Sequence, residues 1–312
     1  MRCSGSVVDG SGTAVSSANV SPRSRRGRHA TPCSVRPVEL WLGEHRFDIT
    51  HRAVVMGILN RTPDSFYDKG SYWAFDDFLR KADTLVADGA DFLDVGGVKA
   101  GPGEEVGEDE ELERVVPAVE ALHARFDLPL SVDTWRSSVI REAIAAGAVV
   151  GNDISGFGDP DYLPTCAAGG ASVVATHIRL APRVADPNPE YDDVVADVRA
   201  FLAERARRAV DAGIPPQRVM VDAGLDLGKT EAQSLELLRH SDSLADLGHP
   251  VFLSASNKRF LAHLLDTDVT QVGYGTLGAH VLGVMLGCRV LRAHDVKATR
   301  RAADVAAALL AA

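Results

Sequence analysis

Polar side chains recur where short apolar runs of this 312-residue chain end. Each of eight runs rich in β-branched residues carries an acid, an amide, a hydroxyl or a basic group at or near its end. These residues are Asn60, Asp94, Asp133, Asn152, Asp153, His177, Asp222, Ser256, Lys258, Arg292, His294 and Asp295. Carboxylates and amides can recognise the N–H and C=O edges of a heterocycle, and an Arg–His pair can hold a phosphate. The residue types therefore predict a site for a polar heterocycle and an anion.

Some of these residues also have plainer interpretations. Asp94 and Asp153 lie beside glycine and serine turns, where either carboxylate could simply form the turn. Arg292 and His294 are two positions apart, so on a strand they would point the same way. The alternative for this pair is a salt bridge at the rim to Asp295 or its neighbours.

The spacing of the apolar runs predicts the elements that position these residues. The runs span residues 53–59, 92–97, 128–133, 148–153, 171–177, 218–223, 250–256 and 288–294. Amphipathic stretches with helical spacing lie between them, as at 75–90, 137–148 and 193–214. Eight strand-and-helix units favour an α/β fold of the (β/α)8 TIM-barrel type, whose active sites lie at the C-terminal strand ends. An open doubly wound sheet is the alternative, but no GxGxxG follows the first run.

The segments before the barrel are distinct from it. Residues 38–49 contain two alternating runs around Gly43 and Glu44, which predicts a short β-hairpin. Residues 1–36 carry six arginines and one aspartate without apolar periodicity, which predicts a disordered basic tail. This tail lacks the apolar core of a secretory signal, and an organelle transit peptide is its alternative interpretation. We expect residues 37–312 to form a single domain.

Composition excludes several classes of function. The net charge of -10 disfavours nucleic-acid binding. No apolar run reaches the roughly 18–20 residues that cross a bilayer, so a membrane protein is not expected. The cysteines, Cys3, Cys33, Cys166 and Cys288, show no CxxC spacing, which predicts a reducing, cytoplasmic environment. An enzyme or binding protein for small molecules remains.

The loop after the first predicted strand is long and polar, reading NRTPDSFYDKGSY from residue 60. Such a loop at a barrel mouth is typical of a mobile lid. The candidate functional residues of this and the later loops are Arg61, Asp64, Ser65, Lys99 and Ser256.

Seven blocks of sequence follow one another at the ends of the predicted strands. They read MGILNRTPDSFYDKG at 56–70, then GADFLDVGG, SVDTWRSSVIREAIAAGA, GNDISG, VDAGLDLGKT, SNK and RAHDV. In this order they resemble the dihydropteroate synthase family, a group of pterin-binding (β/α)8 barrels. The resemblance implies that p-aminobenzoate, or an analogue, displaces diphosphate from a hydroxymethyl-dihydropterin diphosphate in folate biosynthesis. It also implies a homodimer.

The resemblance further implies roles for individual residues. The pterin would be held by Asp133, Asn152, Asp222 and Lys258. Among these, the catalytic residues would be Asp133, Asp222 and Lys258. The diphosphate would be held by Asn60, Arg292 and His294, with Mg²⁺ bound beside Asn60. Positive charge there would stabilise the growing negative charge of the leaving diphosphate.

The second loop departs from the family's pattern. The family usually reads ESTRPG after DVGG, whereas this chain reads VKAGPG. Ala100 and Gly101 thus occupy the positions at which other members of the family have a threonine and an arginine that help to close the loop. Lys99 or Arg61 could supply the lost charge, although a lysine cannot form the paired hydrogen bonds of an arginine.

Further departures follow the later strands. This chain reads DAGLDLGK where the family reads DPGIGFGK. Leu227 thus occupies the position of an aromatic residue of the family's aminobenzoate pocket, and Asp226 adds an acid. THIRLAP replaces the usual MHMxGxP, and Asn257 replaces an arginine. The pterin and diphosphate residues persist while aminobenzoate and loop-closure residues change, as in divergent second copies of the synthase.

Three functions remain open at this point. The first is an active synthase with altered loops. The second is a weak or inactive paralogue that binds the pterin diphosphate. The third is another pterin-dependent barrel enzyme, such as a methyltetrahydrofolate methyltransferase domain, which has no reason to keep Arg292 and His294.

The stretch 275–287, GTLGAHVLGVMLG, is apolar on most sides. A helix of this kind needs burial beyond its own barrel face, which favours a homodimer through the last helices. The alternative is ordinary packing of the helix within one barrel.

Overall fold

The computed structural model describes residues 38–61, 72–101 and 105–312, which belong to one compact unit. Its strands are β1 Glu39–Leu42, β2 His45–Asp48, β3 Val54–Asn60, β4 Phe92–Gly96, β5 Leu130–Asp133, β6 Val150–Asp153, β7 Ser172–Thr176, β8 Val219–Asp222, β9 Val251–Leu253 and β10 Cys288–Ala293. Its α-helices are α1 Tyr72–Ala87, α2 Glu108–Arg125, α3 Ser137–Ala145, α4 Tyr162–Ala168, α5 Val194–Asp211, α6 Glu231–Arg239, α7 Ser241–Ala245, α8 Arg259–Leu264, α9 Gly273–Met285 and α10 Val296–Ala311.

Strands β3 to β10 form a closed parallel barrel in which β10 pairs with β3. Seven of the eight predicted runs contain one barrel strand, and β3 extends one residue beyond the first run. Strands β1 and β2 form the predicted antiparallel hairpin. The (β/α)8 prediction is therefore confirmed. The predicted basic tail lies outside the described residues.

Both faces of the barrel strands are buried, which explains why the strands read as continuous apolar runs. The outer face packs against the helices in one large apolar cluster. The turns that return the chain from helix to strand must be tight. After α3, for example, Gly147 has φ +114°, and a Cβ there would lie 2.5 Å from the ring of His123. Only glycine fits this turn.

The hairpin closes the N-terminal end of the barrel. Leu40, Leu42 and Ile49 are fully buried in one cluster with the inward-facing apolar residues of the strands. Two polar contacts fix the hairpin region there: the Ser172 hydroxyl donates to Trp41 O at 2.6 Å, and Arg289 Nε donates to Ile49 O at 2.9 Å. Apolar packing thus fills the N-terminal end of the barrel. The polar residues lie at its C-terminal end.

No α-helix within the described ranges is long and apolar enough to cross a membrane.

We predict that Leu42→Ala lowers the free energy of unfolding by about 2–5 kcal/mol, because it leaves a cavity in the closed end of the barrel. Leu264→Ala, on a side chain that is 53% exposed at the end of α8, should change it by less than about 0.5 kcal/mol. Denaturant titration followed by circular dichroism measures both. Equal effects of the two variants would show that the hairpin contributes little to the barrel core.

Candidate active site

The C-terminal strand ends bring five of the predicted residues around one small cavity. Because parallel strands all end at the same rim, residues far apart in the chain meet there. The cavity has a volume of about 50 Å³ and is lined by Asp133, Asn152, Asp222, Lys258 and Arg292 among others. The four residues predicted to hold a pterin are therefore neighbours, and one predicted diphosphate residue lies with them.

Asp94 is fully buried, contacts two residues that line this cavity, Asn152 and Arg292, and connects several strands. The Ser131 hydroxyl of β5 and Arg292 Nε of β10 each donate to its carboxylate at 2.7 Å, and Asn152 Nδ2 of β6 lies 3.3 Å from it. The interpretation of Asp94 as a turn former is therefore wrong. Asp153 does form a turn, because its carboxylate accepts from the backbone N–H of Ser155 at 2.6 Å.

Arg292 lies within the barrel mouth rather than at an outer rim. Besides the contact with Asp94, its Nη2 donates to Asp133 Oδ2 at 3.0 Å. The alternative pairing with Asp295 is wrong, since Asp295 accepts from Ala298 N at 2.9 Å at the start of α10. One guanidinium thus joins Asp133, which lines the small cavity, to the buried Asp94.

Burial changes the protonation of the groups around the cavity. It raises the pKa of Asp133 to about 7, with Arg292 opposing and the charge of Asp94 adding to the rise. Burial also raises the pKa of Asp222, whose carboxylate accepts from Gly224 N at 2.8 Å, and it lowers the pKa of Lys258. Near neutral pH, Asp133 can therefore either accept or donate a hydrogen bond to a ring edge.

His294 and Ser256 contact each other beside the cavity. The Ser256 Oγ lies 3.0 Å from His294 Nδ1 and accepts from the His294 backbone N–H at 3.1 Å. Desolvation of the ring by the surrounding protein and the charge of Arg292 lower the pKa of His294, although the residue as a whole is exposed, so the ring is neutral at pH 7. It can donate a hydrogen bond to an anion from Nε2 if Nδ1 accepts from the serine.

Lys229 was not among the predicted site residues, although it ends the block VDAGLDLGK. Its buried ammonium lies 2.9 Å from each of three acceptors: His177 Nδ1, Gly224 O and Leu227 O. Burial lowers the pKa of Lys229 to about 7. In its charged form the side chain has three protons, and these contacts use all of them. Burial lowers the pKa of His177 to about 3, which leaves its ring neutral. Lys229 therefore fixes the β8–α6 loop against the end of β7.

Asn60 and Gly96 form an open position beside Asp133. A Cβ at Gly96 would lie 3.2 Å from Asn60 Oδ1 and 3.9 Å from Asp133 Oδ2. The absence of a side chain leaves these two oxygens facing a common space, and such oxygens are the ligands that Mg²⁺ prefers. No group of three or more His, Cys, Asp or Glu residues within 38–61, 72–101 and 105–312 is arranged to hold a metal.

The loop candidates lie in different places. The Arg61 guanidinium stacks over Phe75 and Phe78 of α1, at 4.8 and 5.4 Å from the ring centroids. Lys99 is exposed, and its carbonyl accepts from Arg183 Nη1 at 3.0 Å. Arg61 thus faces α1, and Lys99 lies in the second loop. Asp64 and Ser65 lie outside the described residues.

A second, larger cavity of about 570 Å³ adjoins the first. Ala100, Leu227 and Lys258 line both cavities, so the two spaces meet at these residues. The larger cavity lies among the loops that follow β4, β7, β8 and β9. Two of the altered residues, Ala100 and Leu227, therefore lie between the small cavity and the larger one.

Known proteins with similar sequences belong to the family that the seven sequence blocks resemble. The family described as pterin binding enzyme matches residues 56–294. Over 264 residues the chain is 43% identical to a Mycobacterium leprae (strain TN) protein named inactive dihydropteroate synthase 2, covering 83% of this chain and 91% of the relative. Over 261 residues it is 38% identical to dihydropteroate synthase of Bacillus subtilis (strain 168), covering 83% and 89%.

A solved structure supports the same family assignment. The chain superimposes on Xanthomonas albilineans dihydropteroate synthase with 4-aminobenzoic acid at a TM-score of 0.82 and 38% identity. This match covers 88% of this chain and 99% of the other. On the match to the family, the identity to its named members and the shared barrel, the chain belongs to the dihydropteroate synthase family of pterin binding enzymes.

Proposed function

We propose that this protein transfers a dihydropterin from 6-hydroxymethyl-7,8-dihydropterin diphosphate to p-aminobenzoate or an analogue, releasing diphosphate in folate biosynthesis. The observation that carries the proposal is the arrangement of Asp133, Asn152, Asp222 and Lys258 around one cavity at the barrel mouth. Two carboxylates, an amide and an ammonium together match the mixed donors and acceptors of a pterin edge.

The same residues account for the course of the reaction. The C–O bond to diphosphate breaks, the amine nitrogen bonds to the exocyclic carbon, and the amine loses a proton. Asp222 accepts from the N–H and amino groups of the ring, and Asp133 and Asn152 bind its other edge. Negative charge from the carboxylates stabilises the electron-poor pterin that forms as diphosphate leaves. This requires no covalent enzyme intermediate.

Arg292 connects pterin binding to the leaving group. In the structure its guanidinium bonds both Asp94 and Asp133. A pterin that takes the Asp133 oxygen frees Nη2, while Asp94 continues to hold Nε. The freed donor can then bond a diphosphate oxygen, with His294 donating nearby. A charged hydrogen bond to the leaving group is worth about 1.5–3 kcal/mol.

Asn60, on the space beside Gly96, is the residue that would hold Mg²⁺ together with diphosphate oxygens. Mg²⁺ commonly takes only one or two protein ligands when a phosphate supplies the others. When bound, the ion would neutralise charge on the departing diphosphate. We place the reaction in the cytoplasm, since folate precursors and reduced thiols occur there.

A second function is favoured by the altered loop residues. Ala100 and Gly101 line the larger cavity where the resemblance implies a threonine and an arginine. The relative at 43% identity carries the name inactive dihydropteroate synthase 2. A paralogue that binds pterin diphosphate with slow or no transfer is therefore the second candidate. No observation favours the methyltransferase alternative.

We also propose a homodimer through α9 and α10. Tyr274 is 92% exposed at the start of α9, and Leu282 and Met285 are substantially exposed on the same helix. Val305 and Leu309 of α10 are exposed as well. These apolar side chains form a surface that a second copy of the chain could cover.

The first test is a direct assay with pterin diphosphate, p-aminobenzoate and Mg²⁺. We expect diphosphate release that depends on the acceptor, and binding of pterin diphosphate by calorimetry. Asp222→Asn should weaken that binding at least tenfold, because a charged hydrogen bond is lost. Asp211→Asn, on the surface of α5, is the control. Binding without acceptor-dependent release would indicate the second candidate, and no binding would contradict both.

The second test concerns the contact between Asp94 and Arg292. We expect Asp94→Asn to lower the affinity for pterin diphosphate about tenfold more than it lowers the affinity for hydroxymethylpterin. The reason is that Arg292 loses the charged acceptor that holds its guanidinium in position. Asp91→Asn is the control: this acid precedes β4 and pairs with Arg52 and Arg300 at the opposite end of the strand. It should lower stability without changing the ratio of the two affinities. Equal ratios in the two variants would argue against the proposed role of Arg292.

The third test concerns assembly. Light scattering should give twice the monomer mass of 33.2 kDa. The double change Leu282→Glu and Leu309→Glu should give the monomer mass, because charges in an apolar interface are costly to bury. Val210→Glu in α5, a partly exposed position, should remain dimeric. A monomeric native protein would overturn the proposal.

A further inference from the structure

The wall of the larger cavity carries more positive than negative charge. Its described residues include four bases and two acids: Arg183, Lys229, Lys258, Arg259, Asp186 and Asp226. Asp186 accepts from Arg179 Nε at 2.5 Å and from its Nη2 at 2.6 Å, so an arginine that does not line the cavity balances its charge. Asp226 is the acid that remains to be set against the four bases.

Asp226 offsets only part of this positive charge. Its Oδ2 accepts from Arg259 N at 2.6 Å and its Oδ1 accepts from Phe260 N at 3.2 Å, so both oxygens are bound to backbone donors. Burial lowers the pKa of Lys258, and the charge of Asp226 opposes this lowering more than any other charge does. The carboxylate therefore compensates Lys258, where the two cavities meet, and leaves the other bases of the wall in excess.

Two arginines supply most of this excess. Arg183 and Arg259 line only the larger cavity, whereas Lys258 lines both. Arg183 Nη1 donates to Lys99 O at 3.0 Å, and a bond to a neutral carbonyl leaves a guanidinium its positive charge. Arg259 is exposed at the start of α8. Lys229 contributes less, because burial lowers its pKa to about 7. The positive charge thus extends beyond the small cavity into the larger one.

The larger cavity also has more room than a single benzoate ring requires. Its volume of about 570 Å³ is in the range of pockets that bind drug-sized ligands. A Cβ at Gly101 would have no described atom within 4 Å, and Ala100 and Leu227 stand where the resemblance leads one to expect a threonine and an aromatic residue. Leu180 and Val184 line the same space with side chains that are 48% and 53% exposed. A ring with a longer substituent can therefore be bound along this wall.

We propose that the acceptor is an aromatic amine whose para substituent is an amide carrying two carboxylates, in preference to a simple aminobenzoate. The inference rests on the proposed transfer function and names the class of acceptor for it. The amine lies at the junction beside Lys258 and Leu227, and the carboxylates lie toward Arg183 and Arg259. The amine nitrogen bonds the exocyclic carbon of the pterin, diphosphate leaves and the amine loses a proton, while the amide substituent is unchanged.

The test compares N-(4-aminobenzoyl)glutamate with N-(4-aminobenzoyl)glutamine, which have nearly the same shape and differ by one negative charge. Calorimetry measures each dissociation constant with protein saturated with hydroxymethylpterin, which has no diphosphate to lose, so no transfer occurs. We expect the glutamate compound to bind about tenfold more tightly than the glutamine compound and than p-aminobenzoate, because the basic wall attracts the additional carboxylate. This ratio should fall as the salt concentration rises, since both arginines are at least partly exposed.

Arg183→Gln and Arg259→Gln should each lower the ratio of the glutamate to the glutamine affinity about threefold, and the double change should abolish the preference. Arg183→Lys keeps the positive charge and should keep the ratio within about twofold. The matched control is Arg199→Gln. Arg199 of α5 also bonds a neutral carbonyl, that of Ser243 at 3.1 Å, but it is not part of the cavity wall. It should leave the ratio unchanged.

A native protein that binds the glutamine compound or p-aminobenzoate as tightly as the glutamate compound would overturn the inference. So would an unchanged ratio in Arg259→Gln, which removes an exposed side chain and should fold even if Arg183→Gln does not. Calorimetry with pterin diphosphate alone tests the proposed function separately. If pterin diphosphate binds and the ratio is near one, the acceptor class is wrong while the transfer function stands. If pterin diphosphate does not bind, both are overturned.

Discussion

Arg292 supplies the positive charge that allows the buried Asp94 and the partly buried Asp133 to lie on neighbouring strands at the barrel mouth. Removing two carboxylates from water costs several kcal/mol for each ion unless a partner and hydrogen bonds compensate. The guanidinium bonds both acids, and Ser131 and Asn152 complete the surroundings of Asp94. The arrangement therefore depends on residues from β4, β5, β6 and β10 being held at fixed distances. The closed barrel provides that rigidity.

The loops above the barrel are joined by a second set of polar contacts. Arg183 of the β7–α5 loop bonds Lys99 O and Ala100 O, and Lys229 joins the β8–α6 loop to His177. Asp226 then connects the same loop to α8. Each contact links loops that follow neighbouring or nearby strands. These contacts consequently fix three of the loops that line the larger cavity.

The fold and the position of the site could be predicted because both follow from local pattern. Buried parallel strands read as continuous apolar runs, and their C-terminal ends must meet, so Asp133, Asn152 and Asp222 could be grouped from the sequence. Partners could not be predicted in the same way. Arg292 and Asp94 are 198 positions apart, and their contact depends on strand register and side-chain direction. Sequence spacing therefore predicts phosphate binding for Arg292, and for Asp94 it leaves open a site residue or a turn former. The pairing of the two residues is visible only in the structure.

The two cavities differ in how easily their residues can be replaced during the divergence of the sequence. The small cavity is lined by strand residues together with Ala100, Leu227 and Lys258 of the loops. A changed side chain at its strand positions would leave a buried charge without its partner, so changes there are costly. The larger cavity is bounded by loops, where Ala100, Leu227 and Asp226 replace other residues without disturbing the buried carboxylates. Divergence of this family member is therefore expected to alter the acceptor before the pterin. The same constraint explains how a chain could lose efficient transfer and still keep a complete pterin site, because the loss requires no change in the barrel itself.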